Sequence, residues 1–304
     1  MPAAREDDQL GRVCLVTGAS SGIGKEIARG LALKRAHVVV AVRDVERGKR
    51  VAEELSDDTA NPSVESIEVD VASQASVRRF AADFTKRFKK LHVLVNCAAI
   101  HAAAKERTVD GIERTWATNV LGYFLPTVLL LDTLMASAPA RIVNVASAAA
   151  GGLDLDDIEF DRRPYRGMAA YEQSKQADRM LTWCLADRLR GKGVTANVMH
   201  PGHVRTSLLR RGAFAFISRL GGLLAHSPAR GAETAVWLAS SRALGDDTGG
   251  FYADKKERHC RFRDEEALRR LWALCERMTG ATTPYLAGGG GGLGPSESSP
   301  PRSE

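Results

Sequence analysis

A short apolar run, a glycine-rich turn and the start of an amphipathic helix follow one another near the amino terminus. Residues 12–17 have the pattern of a buried strand. Gly18, Gly22 and Gly24 come next, and the apolar positions of residues 25–32 then recur at helical spacing. In such a turn, backbone N–H groups and the helix dipole converge and can bind a pyrophosphate. The order therefore predicts a βα unit that binds a dinucleotide, although a βα turn without a ligand has the same pattern.

The rest of the chain alternates between strand-like and helix-like segments. The strand patterns cover residues 37–42, 63–69, 91–96, 141–146 and 194–199. This alternation predicts an α/β fold with a doubly wound, mostly parallel sheet (a Rossmann fold), whose ligand crevice lies beyond the carboxyl ends of the strands. The candidate residues at these ends are Gly18 to Gly24, Arg43, Asp70, Asn96 and Ser147. One crevice can therefore hold all of them.

Length and composition allow one large domain or two small ones, with irregular ends. The chain has 304 residues, 44% of them hydrophobic, which is enough for one large core. We expect residues 11–279 to form the domain and residues 1–10 to be a flexible amino terminus. Residues 280–304 are rich in Gly, Pro and Ser and bury too little apolar surface to offset their ordering entropy, so we expect a disordered tail.

Charge and cysteine usage exclude several classes of protein. The 43 Lys and Arg residues are interspersed with 37 Asp and Glu residues without a basic block, which argues against a nucleic-acid partner. Five scattered cysteines without a C-x-x-C motif predict neither a disulfide framework nor a zinc site. The sequence shows no leader-like segment and no run of 18 apolar residues. We therefore expect a cytoplasmic protein.

The residues after the second and third strands bear on the cofactor. In dinucleotide-binding folds an arginine at the end of the second strand fits a 2′-phosphate, whereas an acid accepts from a 2′-hydroxyl. Arg43 comes first and Asp44 has the position of a helix N-cap, so we favour NADP. The alternative is NAD, held through Asp44. After the third strand, Asp70 and Val71 are placed to hold the adenine amino group.

Tyr171 and Lys175 are four residues apart in a helical pattern, which puts both side chains on one helix face. A lysine near a phenol favours the phenolate and so lowers the phenol pKa from its ordinary value of about 10. A tyrosine in that setting can donate and accept a proton near neutral pH. The same spacing is common on solvated helix faces, so the pair indicates a catalytic role only in combination with the other motifs.

Together these motifs resemble the short-chain dehydrogenase/reductase superfamily over about residues 11–279. The matching motifs are TGxxxGIG at 17–24, a form of NNAG at 96–99, Asn119, Ser147, YxxxK at 171–175 and PG at 201–202. Residues 42–44, 118–124, 153–157 and 200–206 are similar to the retinol dehydrogenase group. Two features depart from the pattern. The NNAG motif reads Asn-Cys-Ala-Ala, and we expect this replacement to loosen the turn beneath the nicotinamide ribose. The amino-terminal hydrophobic anchor that is usual in membrane-bound retinol dehydrogenases is not seen in the sequence.

The resemblance implies a role for each of four residues. Tyr171 would exchange a proton with the substrate oxygen, and Ser147 would hydrogen-bond that oxygen as charge develops on it. Lys175 would hold the nicotinamide ribose, and Asn119 would anchor a water that links Lys175 to solvent. The implied cofactor contacts are Gly18, Ser20, Ser21, Gly22, Ile23, Gly24, Arg43, Asp70, Val71, Asn96, Ala98, Tyr171, Lys175, Pro201, Gly202, Val204 and Thr206. We expect no metal, because His200 and His203 lack companion ligands at ligand spacing.

The expected function is that of an NADP-dependent oxidoreductase acting on the carbonyl or alcohol of an apolar small molecule. The substrate would be a retinal-like, steroid-like or lipid aldehyde or ketone, and reduction is the expected direction. The alternative is a catalytically silent dinucleotide-binding regulator or scaffold, which would not require Tyr171 or Lys175. Residues 207–226 are apolar with interspersed arginines; a substrate lid, a peripheral membrane contact and ordinary core packing all stay open. A homodimer also stays open.

Overall fold

The framework of the protein is one eight-stranded sheet. The computed structural model describes residues 7–202, 204 and 226–283. The strands are β1 (Val13–Thr17), β2 (His37–Val42), β3 (Val64–Glu68), β4 (Val93–Asn96), β5 (Ala140–Val145), β6 (Val194–Met199), β7 (Phe251–Ala253) and β8 (Lys256–Glu257). They lie in the order β3-β2-β1-β4-β5-β6-β7-β8, and only the last pair, β7 with β8, is antiparallel. This topology confirms the predicted doubly wound α/β fold and its single domain.

Helices connect the parallel strands. They are α1 (Gly22–Leu33), α2 (Val45–Thr59), α3 (Gln74–Arg87), α4 (Arg114–Trp116), α5 (Gly122–Leu129), α6 (Leu131–Met135), α7 (Gly167–Arg188), α8 (Pro228–Ser240) and α9 (Glu265–Thr279). A π-helical turn, Ala117–Leu121, joins α4 to α5, and a 3-10 turn, Arg242–Leu244, follows α8. Among the described residues, no helix combines the length and apolar character that crossing a membrane requires.

An apolar core lies on each face of the sheet. Successive strand residues point to opposite faces, so Leu15 belongs to one core while its neighbours Cys14 and Val16 belong to the other. The first core is filled from α3, α5, α7 and α9, and the second from α1, α2 and α8. Because both faces are covered, the central strands read as continuous apolar runs rather than alternating ones.

The packed part of the chain extends beyond the predicted range 11–279 at both ends. Gln9 is buried, and its side chain donates to the carbonyl of Ser240, far along the chain. At the other end, Ala281 and Thr283 are buried after the end of α9. The remainder of the predicted amino terminus and tail, residues 1–6 and 284–304, lies outside the described residues.

Candidate active site

The parallel strands bring most of the predicted site residues to one edge of the sheet. The residues at or just beyond the carboxyl ends of β1 to β6 are Gly18, Arg43, Asp70, Asn96, Ser147 and Pro201 with Gly202. The strand order reverses next to β1, between β1 and β4. In doubly wound sheets this reversal opens the crevice in which ligands bind.

The turn after β1 is built around three glycines with different roles. Gly18 has a φ of +68°, and a Cβ there would lie 2.6 Å from the Cα of Ala98. Glycine is therefore required for this turn to approach the loop after β4. A Cβ on Gly24 would lie 2.5 Å from the carbonyl oxygen of Gly18, so the helix start packs directly on the turn. Gly22 has a φ of +59° but its Cβ would meet nothing within 4 Å, so it faces open space.

The backbone amides at the start of α1 receive no hydrogen bond from a capping side chain. Ser21 occupies the N-cap position without a side-chain cap bond, and the first turn contains no acidic residue. By contrast, α2, α3, α8 and α9 are capped by Asp44, Ser73, Ser227 and Asp264. Uncapped amides beside open space suit an anion, so this turn, which includes Ser20 and Ile23, fits a dinucleotide pyrophosphate.

The adenine end of the crevice contains an exposed arginine. Arg43 is exposed after β2, and no described carboxylate forms an ion pair with it. The side chain of Asp44 accepts from the backbone N–H of Arg47 at 2.9 Å, as expected for the N-cap of α2. After β3, Oδ1 of Asp70 accepts from the backbone N–H of Ala72 at 3.0 Å. Arg43 is therefore a charged group at this end that forms no ion pair with a described residue.

Asn96 faces the interior of the sheet. Its side chain is fully buried, and its Nδ2 donates to Oγ1 of Thr127 at 3.0 Å and to Oδ1 of Asn144 at 2.8 Å. The structure therefore does not bring this side chain to the open side of the crevice, where the resemblance implied a cofactor contact.

The loop after β4 is firmly held although two residues of its motif are replaced. Oγ1 of Thr17 accepts from the backbone N–H groups of Cys97 at 3.0 Å and Ala98 at 3.3 Å. Asn119 accepts from the backbone N–H of Ile100 at 2.8 Å and donates to its carbonyl at 3.0 Å. The loosening expected from the replaced motif is therefore not seen. Burial raises the pKa of the Cys97 thiol to about 12, which keeps it protonated and unreactive.

Asn119 lies in the π-helical turn between α4 and α5. Such turns often occur at functional sites because they reorient a side chain within a helical stretch. Besides its two bonds to the loop after β4, Nδ2 of Asn119 donates to Oγ of Ser174 at 3.0 Å. Asn119 therefore joins this loop to α7, one residue before Lys175.

One face of α7 packs against the carboxyl end of β5. Tyr171, Lys175 and Arg179 are spaced four residues apart and so lie on this face. Nζ of Lys175 donates to the carbonyl of Val145 at 3.2 Å, and the guanidinium of Arg179 donates to the carbonyl of Ser147. These two bonds fix the helix against the strand end, and Tyr171 lies one turn before Lys175 on the same face.

The hydroxyl-bearing residues at this edge are more accessible than the residues behind them. Tyr171 and Ser147 are half-buried, whereas Lys175 and Asn119 are buried. Oγ of Ser147 accepts from the backbone N–H of Ala149 at 3.1 Å, and no described residue receives its proton. Ser147 can therefore donate to a substrate oxygen while it stays anchored.

Lys175 has a buried ionic partner that the sequence analysis did not identify. Its Nζ lies 2.7 Å from Oδ2 of Asp178, and the two side chains are 1% and 0% exposed. Burial raises the pKa of the Asp178 carboxyl to about 6, and the charge of Lys175 opposes this rise. The sequence did contain a signal for this partner. Asp178 follows the candidate catalytic Lys175 by three residues, and the same helical pattern then continues with the apolar residues Leu181 and Leu185.

Arg179 is the second residue that the sequence analysis missed. Besides its bond to the Ser147 carbonyl, its guanidinium lies 3.9 Å from the centroid of the Phe251 ring and donates to Sγ of Cys260 at 3.5 Å. It therefore joins β7 and the segment after β8 to the backbone of Ser147. The available signal in the sequence was an arginine directly after Asp178 and four residues after Lys175.

The PG motif lies at the far side of the crevice. The backbone N–H of Gly202 donates to Nδ1 of His200 at 3.1 Å. Val204 lies against the start of α8, since a Cβ on Gly231 would come within 2.6 Å of Val204 and 3.5 Å of Pro201. His203, Thr206 and nearly all of the predicted lid (residues 207–225) lie outside the described residues. Within residues 7–202, 204 and 226–283, no cluster of side chains could hold a metal ion.

Comparison with known proteins identifies the class to which this fold and site belong. The family model for short chain dehydrogenases matches residues 12–213. Human retinol dehydrogenase 13 is 39% identical over 287 residues, covering 91% of this chain and 87% of that protein. Mouse polyprenol dehydrogenase is 40% identical over 286 residues, covering 90% and 85%. A solved Pseudomonas aeruginosa RhlG/NADP active-site complex has a TM-score of 0.66 and 30% identity, covering 81% of this chain and 95% of that one.

The chain belongs to the short-chain dehydrogenase family and, within it, to the retinol dehydrogenase-like group. It is an NAD(P)-dependent oxidoreductase that acts on CH–OH donors, and its substrates are small molecules. The resemblance and the enzyme class expected from the sequence are thereby confirmed.

Proposed function

We propose that the protein is an NADP-dependent oxidoreductase that reduces apolar aldehydes or ketones and, in reverse, oxidises the alcohols. The observation that carries the proposal is on one face of α7: Tyr171 and Lys175 lie one turn apart, and Nζ of Lys175 donates to the carbonyl of Val145, two residues before Ser147. The names of two relatives support an apolar substrate, since retinol and polyprenol are both apolar alcohols. A retinal-like, steroid-like or lipid carbonyl compound is the corresponding substrate.

In the proposed reaction, the cofactor supplies the hydride when bound, and the protein supplies orientation and proton transfer. Tyr171 donates its proton to the carbonyl oxygen, and Ser147 donates a hydrogen bond to the same oxygen. Together they stabilise the negative charge that develops there. Lys175 would hold the nicotinamide ribose, Asn119 would anchor a water that links Lys175 to solvent, and the amides at the start of α1 would hold the pyrophosphate.

The preference for NADP rests on the residues after β2. Arg43 is exposed and has no described ionic partner, so its guanidinium can bind a 2′-phosphate. The carboxylate of Asp44 instead accepts from an amide at the start of α2. NAD, held through the other oxygen of the Asp44 carboxylate, is the alternative.

Replacing Arg43 with alanine tests the cofactor preference. A charged hydrogen bond contributes about 1.5–3 kcal/mol. The Kd for NADPH should therefore rise roughly 10- to 150-fold while the Kd for NADH stays unchanged. Arg50→Ala is the matched control, because Arg50 is an exposed arginine further along α2. Equal losses of affinity for NADPH and NADH in Arg43→Ala would contradict the assignment.

A substrate screen tests the activity itself. NADPH consumption is followed with a panel of retinal, steroid ketones and long-chain aldehydes, and Tyr171→Phe serves as the control. Turnover that requires the Tyr171 hydroxyl supports the proposal. Tight NADPH binding without turnover on any compound, and without a difference in the variant, would indicate a dinucleotide-binding regulator instead.

A further inference from the structure

The interior behind the proposed catalytic edge contains an ion pair between Lys175 and Asp178, and the proposed reaction does not use its carboxylate. The ammonium donates to Oδ2 of Asp178 at 2.7 Å and to the carbonyl of Val145 at 3.2 Å. It lies 5.9 Å from the centroid of the Tyr171 ring and 4.9 Å from that of Tyr123. Two of its three N–H groups are therefore directed to partners other than the Tyr171 phenol.

The charge of the pair is largely balanced. A carboxylate in contact with an ammonium turns a single positive charge into a dipole, whose field falls off faster with distance. Little solvent reaches the pair to screen either charge, since both side chains are buried. The effect of Lys175 on Tyr171 therefore depends on whether Asp178 is ionised.

Apart from Lys175, no described group that faces Asp178 carries a charge that could balance the charge of Lys175 in place of Asp178. Lys175 faces it from α7 itself, Tyr123 from α5, and Cys275 from α9. Burial raises the pKa of both the Tyr123 phenol and the Cys275 thiol well above their ordinary values, so both stay neutral near pH 7. The guanidinium of Arg179, next along the helix, binds the Ser147 carbonyl instead.

We propose that Asp178 is a positioning residue that limits how strongly the Lys175 charge acts on Tyr171, by holding the ammonium in a buried ion pair. This inference rests on the proposed function, in which Tyr171 transfers the proton. Protonation of Asp178 leaves Lys175 uncompensated, and the lysine then favours the Tyr171 phenolate. Catalysis consequently depends on the ionisation of a carboxyl group that does not touch the substrate.

Asp178→Asn is the variant that separates charge from shape. The amide oxygen still accepts from Nζ of Lys175, and the amide nitrogen takes the position of Oδ1, which has no described hydrogen-bond partner. Asp178 also lines a cavity of about 10 Å³, whose other lining residues are both polar, such as Thr127 and Asn144, and apolar, such as Leu181. Asp187→Asn is the matched control, because Asp187 lies on the same helix and forms an ion pair at the surface with Arg190.

The first readout is the pH dependence of kcat and kcat/KM for alcohol oxidation. Asp178→Asn should move the midpoint of the rising limb to lower pH by about one unit, the order of shift that one neighbouring charge produces. Asp187→Asn should leave the midpoint where it is. Profiles of Asp178→Asn and the unmodified protein that superimpose would overturn the proposal, as would equal shifts in both variants.

The second readout requires neither turnover nor a variant at Asp178. With 13Cζ-labelled tyrosine and 13Cγ-labelled aspartate, the Tyr171 signal, assigned by its loss in Tyr171→Phe, should move at the pH at which Asp178 titrates. A Tyr171 signal that does not respond to Asp178 overturns the coupling, even if Asp178→Asn does not fold. If Tyr171→Phe keeps full activity, the proposed function fails instead, and the titration still decides the coupling.

Discussion

Replacing Gly22 with alanine should weaken dinucleotide binding far more than it weakens the fold. Gly22 and Gly111 both have positive φ, +59° and +75°, and a Cβ on either meets nothing within 4 Å. An alanine in this conformation costs about 1–2 kcal/mol of unfolding free energy at each position. Only at Gly22 does the new methyl group also enter the space where the pyrophosphate should lie. Overpacking by a methyl group costs about 1–3 kcal/mol, or roughly a 5- to 150-fold rise in Kd.

The comparison of Gly22→Ala with Gly111→Ala isolates the binding term. Urea unfolding without cofactor should give similar losses of stability for the two variants. Titration calorimetry with NADPH should then show weaker binding in Gly22→Ala and unchanged binding in Gly111→Ala. If both variants bind NADPH with the affinity of the unmodified protein, the space before α1 does not hold the pyrophosphate and the reasoning is refuted.

Two further predictions concern the interior of α7. Arg179→Met removes the bond to the Ser147 carbonyl and so should misplace Ser147. Because a misplaced reacting group is costly, kcat should fall about tenfold or more while the Kd for NADPH stays unchanged. An unchanged kcat would contradict this. The folded state raises the pKa of Asp178 from near 3.8 to about 6, so it binds this proton more tightly than the unfolded state does. The stability of the unmodified protein should therefore fall relative to Asp178→Asn as the pH rises from about 4 to about 6. Urea unfolding across this range checks the sign, and the opposite trend would contradict it.

The parts of the protein that the sequence predicted are those determined by local pattern. The glycine turn could be predicted because a strand, Gly18 and Gly24, and a helix start are consecutive in the chain. The N-cap role of Asp44 could be predicted because a capping side chain bonds an amide three residues later. The alternation of strands and helices likewise predicted which edge of the sheet contains the crevice, because parallel strands end on the same side.

The parts that the sequence did not predict depend on contacts between distant segments. Asp178 becomes a buried partner of Lys175 only because α5 and α9 cover that side of α7. The burial of Gln9 likewise depends on a carbonyl at the end of α8. Nothing in the local pattern around Asn119 indicates a π-helical turn, because its apolar spacing fits an ordinary helix. These features follow from packing, which periodicity does not specify.

The most direct test of the central claim is the transfer of deuterium from labelled NADPH to the carbonyl carbon of an apolar aldehyde, measured in a single turnover. The unmodified protein should transfer the label. At saturating NADPH, Tyr171→Phe should transfer the label about 10²- to 10⁴-fold more slowly, since the proton donor is lost. Label transfer at an unchanged rate in Tyr171→Phe would contradict the account.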